Sequence, residues 1–292
     1  MLEPTTRSVE TGDAQLAVHE WGSAGAPPAL FWHALGDHTS LQALEIAPVL
    51  VAEYGVRVIG VDAPGFGGSP RLADDRYTVP ALVGLAGQLL DALEFARAVW
   101  MGSSWGAHLG VHVAAAYPER IAALVLLDGG YMDPTSDGGS TLAEQRKHWR
   151  SQPELFRYPS WYAMLADVKP QLRRWSPAIE ASCRSAYREE NGAVVSIMGP
   201  DVYAAAIHGI DELPPSRALP ELGRTDVPVL VLAATEPPER EAMRAAALKH
   251  FAKTVPQAEI RRVEGASHFL VEERPLDVAH SVGDWLRALA YA

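Results

Sequence analysis

Runs such as VRVIGVD (residues 56–62) and IAALVLLD (121–128) are apolar almost without interruption, and they constrain the fold more than any other feature. A strand with one wet face alternates apolar and polar residues. One that is apolar throughout is buried on both faces, as in a parallel sheet covered by helices. Comparable short runs lie at residues 15–20, 29–33, 98–102, 229–233 and 259–263. Longer helical stretches separate them, at 41–54, 81–95, 106–117, 239–252 and 276–290. The pattern predicts an α/β fold: a mostly parallel sheet with helices on both faces, joined by right-handed crossovers.

The alternation stops between Tyr131 and about Ile210. That stretch carries Pro134, Pro153, Pro159, Pro170, Pro177 and Pro200 and no convincing buried strand. It is also basic: residues 144–190 hold nine Lys/Arg and six Asp/Glu, a local excess of three positive charges in a chain of net charge −11. Trp149, Phe156, Tyr158, Trp161, Tyr162, Trp175 and Tyr187 fall in the same window. An aromatic-rich insertion after a strand's carboxyl end is placed to cover a site there. The expectation is a core of residues 1–130 and 211–292, with 131–210 as a helical cap inserted after the sixth core strand. A separate surface subdomain with its own aromatic core is the plainer alternative, and most of the rings are core in either case.

With 292 residues, the chain can bury a large core without disulfides or metals. Its 25 Lys and Arg against 36 Asp and Glu argue against a nucleic-acid partner, which would require a basic face. Cys183 is the one cysteine, so a disulfide framework or multi-cysteine metal site is excluded. No H-E-x-x-H or clustered ligand spacing is present, so no metal is expected. No apolar run reaches membrane-spanning length, and the polar start MLEPTTRSVETGD shows no signal peptide. A cytoplasmic protein acting on a small molecule fits best, with no cofactor and its oligomeric state left open.

Gly102-Ser103-Ser104-Trp105-Gly106 is the chain's sharpest chemical signal. It matches G-x-S-x-G, in which a tight strand–turn–helix lifts the serine clear of the sheet, and it lies between strand-like AVWMG and helical GAHLGVHVAAAY. Small residues two positions either side let the backbone turn without a clash. By composition, chance supplies roughly 0.1 such matches in a chain like this. Ser104 as a plain helix N-cap is the modest alternative. The helix start also offers free N–H groups and partial positive charge to an anion formed beside Ser104.

FWHALGD (31–37), DAPGFGGS (62–69), GSSWGA (102–107) and EGASHF (264–269), in that order, resemble the α/β-hydrolase-fold enzymes along nearly the whole chain. The resemblance implies an order of nucleophile, acid and histidine. It makes Ser104 the nucleophile and His268, in the loop before the terminal helix, its base. It leaves two acids open. Glu236 lies in the turn after the seventh family strand, where relatives commonly carry G-x-x-D, but it sits about one residue early. Asp128 ends the sixth, where other relatives place the acid, and it is preferred because the Glu236 turn departs from the usual spacing. The backbone N–H groups of Trp105 and Leu35 would form the oxyanion hole, with Ala34 standing where relatives have glycine. The DAPGFGGS loop resembles the family's glycine-rich turn after the fourth strand, and its glycines account for it in a structural role without any chemistry. His33 is read as bracing its loop, and His208 as a weak candidate for substrate contact from the cap.

A serine nucleophile sets the chain apart from the dehalogenase and epoxide hydrolase branches, which use aspartate, and from dienelactone hydrolases, which use cysteine. The elbow is similar to that of proline iminopeptidases, but their H-G-G-P-G loop is missing. The expectation is a serine hydrolase cleaving a carboxylic ester, lactone or thioester through an acyl-serine intermediate. A carbon–carbon bond hydrolase with the same triad, or a ligand-binding member without catalysis, are the alternatives, because function lives in the site and not the fold.

Overall fold

The computed structural model describes residues 2–73, 76–134 and 140–291. Its strands are β1 (Thr5–Glu10), β2 (Gln15–Trp21), β3 (Pro28–Trp32), β4 (Arg57–Val61), β5 (Ala98–Ser103), β6 (Ile121–Leu127), β7 (Arg157–Tyr158), β8 (Tyr187–Glu190), β9 (Ala193–Ser196), β10 (Val229–Ala234) and β11 (Ala258–Val263). Its α-helices are α1 (Ala47–Tyr54), α2 (Val79–Ala92), α3 (Trp105–Ala116), α4 (Leu142–Arg150), α5 (Trp161–Val168), α6 (Pro177–Ser185), α7 (Gly199–Glu212), α8 (Leu219–Leu222), α9 (Glu241–Thr254), α10 (Leu270–Glu273) and α11 (Pro275–Ala288). Eight strands form one sheet in the order β1-β2-β4-β3-β5-β6-β10-β11. Only the β1–β2 and β2–β4 pairs are antiparallel.

The uninterrupted apolar runs acquire their physical reason here. Successive residues of a strand point to opposite faces, and both faces are covered. Leu30, Trp32, Trp100, Leu124, Leu126 and Val231 join one core, with α2, α3, α8 and α9. Their neighbours Phe31, Val99, Met101, Ala123, Val125 and Leu232 join the other, with α1, α10 and α11.

Two elements depart from the sequence expectation. β1 went unread because TTRSVE buries only Val9, and it is a strand through antiparallel pairing with β2 at the sheet's edge. The helix expected over 41–54 divides into a 3-10 turn, Ser40–Leu44, and α1 from Ala47. Pro48 accounts for the break, since proline has no N–H to give and fits only a helix's first turn.

Between β6 and β10 the chain leaves the large sheet. The expected cap span 131–210 includes residues 135–139, which lie outside the described residues. The rest is not wholly helical: β7, β9 and β8 form a three-stranded antiparallel sheet. These strands are short and β8 is largely exposed, so no buried apolar run announced them. With α5 and α6 they enclose a small core of Tyr158, Met164, Val168, Ile179, Cys183, Tyr187 and Val194. Met198, Val202, Ala205 and Ala206 of the α7 region and Phe156 instead join the main core. Trp149 packs edge-on against Tyr203, with ring centroids 4.6 Å apart, whereas Tyr162 is 84% exposed.

The local excess of positive charge fastens this insertion. Arg174 donates to Glu45 and to the Glu272 carbonyl and Arg173 to the Gly265 carbonyl, which tie it to the core, while Arg150 donates to both oxygens of Asp201 within it.

Candidate active site

The turn from β5 into α3 is built by two glycines. A Cβ at Gly102 would stand 2.1 Å from the Gly106 carbonyl oxygen, and one at Gly106 would stand 2.1 Å from that of Trp32. Only glycine lets the helix start approach the sheet so closely. Between them Ser104 adopts φ 50° and ψ −104°, a conformation costly for a residue with a side chain and typical of functional turns. Ser104 occupies the N-cap position of α3, but its hydroxyl makes no capping hydrogen bond. The hydroxyl lies 2.9 Å from His268 Nε2 instead.

His268 Nδ1 lies 2.7 Å from Asp128 Oδ2. The carboxylate can only accept, so this bond fixes the imidazole tautomer with Nδ1 protonated and Nε2 facing the serine. Asp128 is held in turn: its Oδ1 accepts from Tyr131 Oη at 2.8 Å and from the Ala234 N–H at 2.9 Å, and its backbone N–H donates to Leu232. Burial pushes its carboxyl up and is the largest single influence. The bond and charge from His268, with the Ala234 and Tyr131 donors, outweigh it and hold the carboxyl below the usual range.

Glu236 lines the same cavity but is directed elsewhere. Its carboxylate faces Arg173 at 3.6 Å, its N–H donates to Ala266, and its carbonyl accepts from Arg244. The geometry therefore brings Ser104, His268 and Asp128 together in one chain of contacts, with Glu236 beside it.

Leu35 and Trp105 line the same cavity as Ser104, which has a volume of about 530 Å³. His33 braces the loop before Leu35: Nδ1 lies 2.7 Å from the Ala34 carbonyl, and Nε2 accepts from the Ala63 N–H. Burial lowers His33 to about 4, so it stays neutral in this bracing role. Burial lowers His108 to about 3 and His112 to about 4 as well, and the Leu213 carbonyl lies 3.0 Å from His108 Nε2. His208 lies 3.5 Å from Glu212, while Tyr203, Ile207 and Ile210 of α7 reach the cavity. In the DAPGFGGS loop, Asp62 accepts from the Ser40 backbone and hydroxyl and from the Gly68 N–H.

Two contributors were missed in the sequence. Tyr131 was assigned to the start of the insertion by its change of composition. Gln42 accepts the Ala34 N–H at 3.0 Å and donates to Glu272 at 2.8 Å, joining the loop before Leu35 to α10. The only signal in the sequence is a polar residue in an apolar setting, Gln42 within LQAL and Glu272 after FLV, since burial itself is not visible there.

Tyr131→Phe tests the support of Asp128. A carboxyl depressed in the folded state adds stability that is present above its unfolded value near 3.9 and lost as pH falls through the lower folded value. Removing a donor moves the folded value up and costs about 1–3 kcal/mol at pH 7. Urea unfolding at pH 7 and at pH 3.5 should show a deficit that shrinks at the lower pH. An equal deficit at both would leave Tyr131 a packing role only.

Among the described residues, no group of three or more His, Cys, Asp or Glu is arranged to hold a metal ion. Nor is any helix among them long and apolar enough to cross a membrane.

The family model described as alpha/beta hydrolase fold matches residues 27–275. Curated relatives include epoxide hydrolase A of Mycobacterium tuberculosis, 34% identical over 128 residues, covering 44% of this chain and 39% of the relative. Another is the 2-hydroxy-6-oxononadienedioate/2-hydroxy-6-oxononatrienedioate hydrolase of Burkholderia vietnamiensis, 44% identical over 86 residues, covering 29% of each. These matches span only about a third of the relatives' own lengths. Among solved structures, the thioesterase domain from the curacin biosynthetic pathway superposes with a TM-score of 0.78 at 20% identity, over 97% of this chain and 99% of the other. At that identity the likeness shows the fold alone.

Proposed function

The chain belongs to the alpha/beta hydrolase fold family, and from that premise we propose that it is a serine hydrolase cleaving a carboxylic ester, lactone or thioester through an acyl-Ser104 intermediate. The observation that carries this reading is the run of contacts from Asp128 through His268 to Ser104, at 2.7 and 2.9 Å. Asp128 fixes the tautomer, and His268 takes the hydroxyl proton as Ser104 attacks the carbonyl. The Trp105 and Leu35 amides would hold the oxyanion, a role best supplied by donors already in place. His268 then gives its proton to the leaving group, which departs with the bonding pair. Water, deprotonated by the same imidazole, attacks the acyl carbon and frees the acid and Ser104.

Residues 131–210 act in this reading as a cap, supported by the side chains of Tyr203, Ile207 and Ile210 on the cavity wall. A second reading, carbon–carbon bond hydrolysis with the same triad, is favoured by the segment shared with the Burkholderia vietnamiensis hydrolase.

Incubation with a fluorophosphonate followed by intact-mass measurement tests the common premise. One adduct is expected, located on Ser104. Well-folded protein that takes no adduct overturns both readings in favour of a ligand-binding role. Turnover of aryl esters, lactones and thioesters, set against vinylogous diketones, separates the first reading from the second.

A further inference from the structure

A second cavity, of about 190 Å³, lies beside the one that holds Ser104. Leu35, His38 and Phe269 line both, so the two adjoin behind the segment proposed to supply an oxyanion donor. Its apolar wall comes from Val168, Leu172 and Ile179, and its polar groups include Asp37, His38 and Glu272.

Glu272 is the informative residue. It is only 7% exposed. Its Oε1 is occupied, accepting from Gln42 Nε2 at 2.8 Å and facing His38 Nε2 at 3.2 Å. Among the described residues, its Oε2 is buried without a hydrogen-bond partner. A buried carboxylate oxygen left unpaired is costly, and the cost is relieved by a ligand that brings a donor. Asp37 adds a second carboxyl to the wall, and burial raises it. His38 pairs with Glu272, so Asp37 sets the charge preference of the wall: a cation beside it favours the charged carboxylate against burial, whereas an anion does not.

An ammonium group supplies both positive charge and three N–H donors, and the apolar wall suits a short hydrocarbon chain. We propose that this cavity binds a primary ammonium group on a short apolar chain, the amine-bearing arm of a substrate whose carbonyl lies against Ser104. The link to turnover rests on the hydrolase reading above, whereas the binding itself does not.

Calorimetric titration with n-butylammonium chloride tests the binding, with 1-butanol and sodium butyrate as controls of similar size. Butylammonium is expected to bind at least about tenfold tighter than either control, and Asp37→Asn to weaken it about tenfold, as for the loss of one charged hydrogen-bond partner. Should Asp37→Asn fail to fold, Glu272→Gln removes the other negative charge and keeps an acceptor for Gln42. Absent binding, binding no tighter than that of butanol, or affinity unchanged in the folded variant would overturn the proposal.

The kinetic arm compares 4-nitrophenyl 6-aminohexanoate with the heptanoate, in which a methyl group replaces the ammonium. The ratio of their kcat/KM values should favour the amino ester and fall in Asp37→Asn. Turnover of both without preference would sever the cavity from the substrate and overturn the proposal. Butylammonium binding without turnover of either ester would leave the cavity assignment standing and count against the hydrolase reading.

Discussion

Ser104→Ala is expected to lower kcat by several orders of magnitude, toward the roughly 10⁶-fold measured when a triad nucleophile is removed elsewhere, while leaving the fold intact. Alanine keeps the Cβ, so the strained φ of 50° at the turn is no worse, and both glycine contacts are untouched. The hydroxyl makes no capping bond to α3, and its contact is with His268 Nε2. Stability should therefore change by only a few tenths of a kcal/mol, since the usual cost of about 1 kcal/mol for losing a serine N-cap does not apply. The two roles predict opposite results. A capping serine would cost stability and spare turnover; a nucleophile spares stability and removes turnover. Steady-state kinetics alongside urea unfolding reads both at once. Near-normal turnover in a folded variant would remove Ser104 from the mechanism.

The second large effect concerns the acid. Asp128→Asn is expected to reduce kcat by around 10⁴-fold, because an asparagine amide can offer an N–H where Nδ1–H needs an acceptor, favouring the wrong tautomer. Glu236→Gln is expected to stay within a few-fold of the unsubstituted protein. Its carboxylate is 31% exposed and opposes Arg173 at 3.6 Å, an arrangement that commonly contributes about 0–1 kcal/mol. The two ranges do not overlap, so one comparison of kcat values decides the assignment. A larger loss in Glu236→Gln than in Asp128→Asn would transfer the role to Glu236.

Much of this molecule is written locally. VRVIGVD and IAALVLLD announce strands buried on both sides because each residue of a central strand meets one of two covered faces, and β4 and β6 form there. G-x-S-x-G announces a turn because two carbonyls leave no room for a Cβ at either glycine. Where the local signal was weak, the reading was incomplete. TTRSVE has no apolar face, and the three short strands of the insertion share their burial with α5 and α6, so neither carries the pattern of a buried strand.

The acid belongs to a different kind of information. Asp128 and Glu236 both follow strands and both precede His268, and within a few residues only the one-residue shift of the Glu236 turn from the usual spacing favours Asp128. Asp128 meets an imidazole 140 residues away because β6 and β10 pair in parallel, with Asp128 N–H on the Leu232 carbonyl and Ala234 N–H on the carboxylate. Gln42 of the Ser40–Leu44 turn and Glu272 of α10 meet across 230 residues through packing of those two elements rather than strand pairing. Strand, helix and turn followed from the sequence because side-chain periodicity and backbone sterics act over a few residues. Which carboxylate faces the histidine, and which polar side chains gather behind the 33–38 loop, was decided only by packing, which joins residues that the chain keeps far apart.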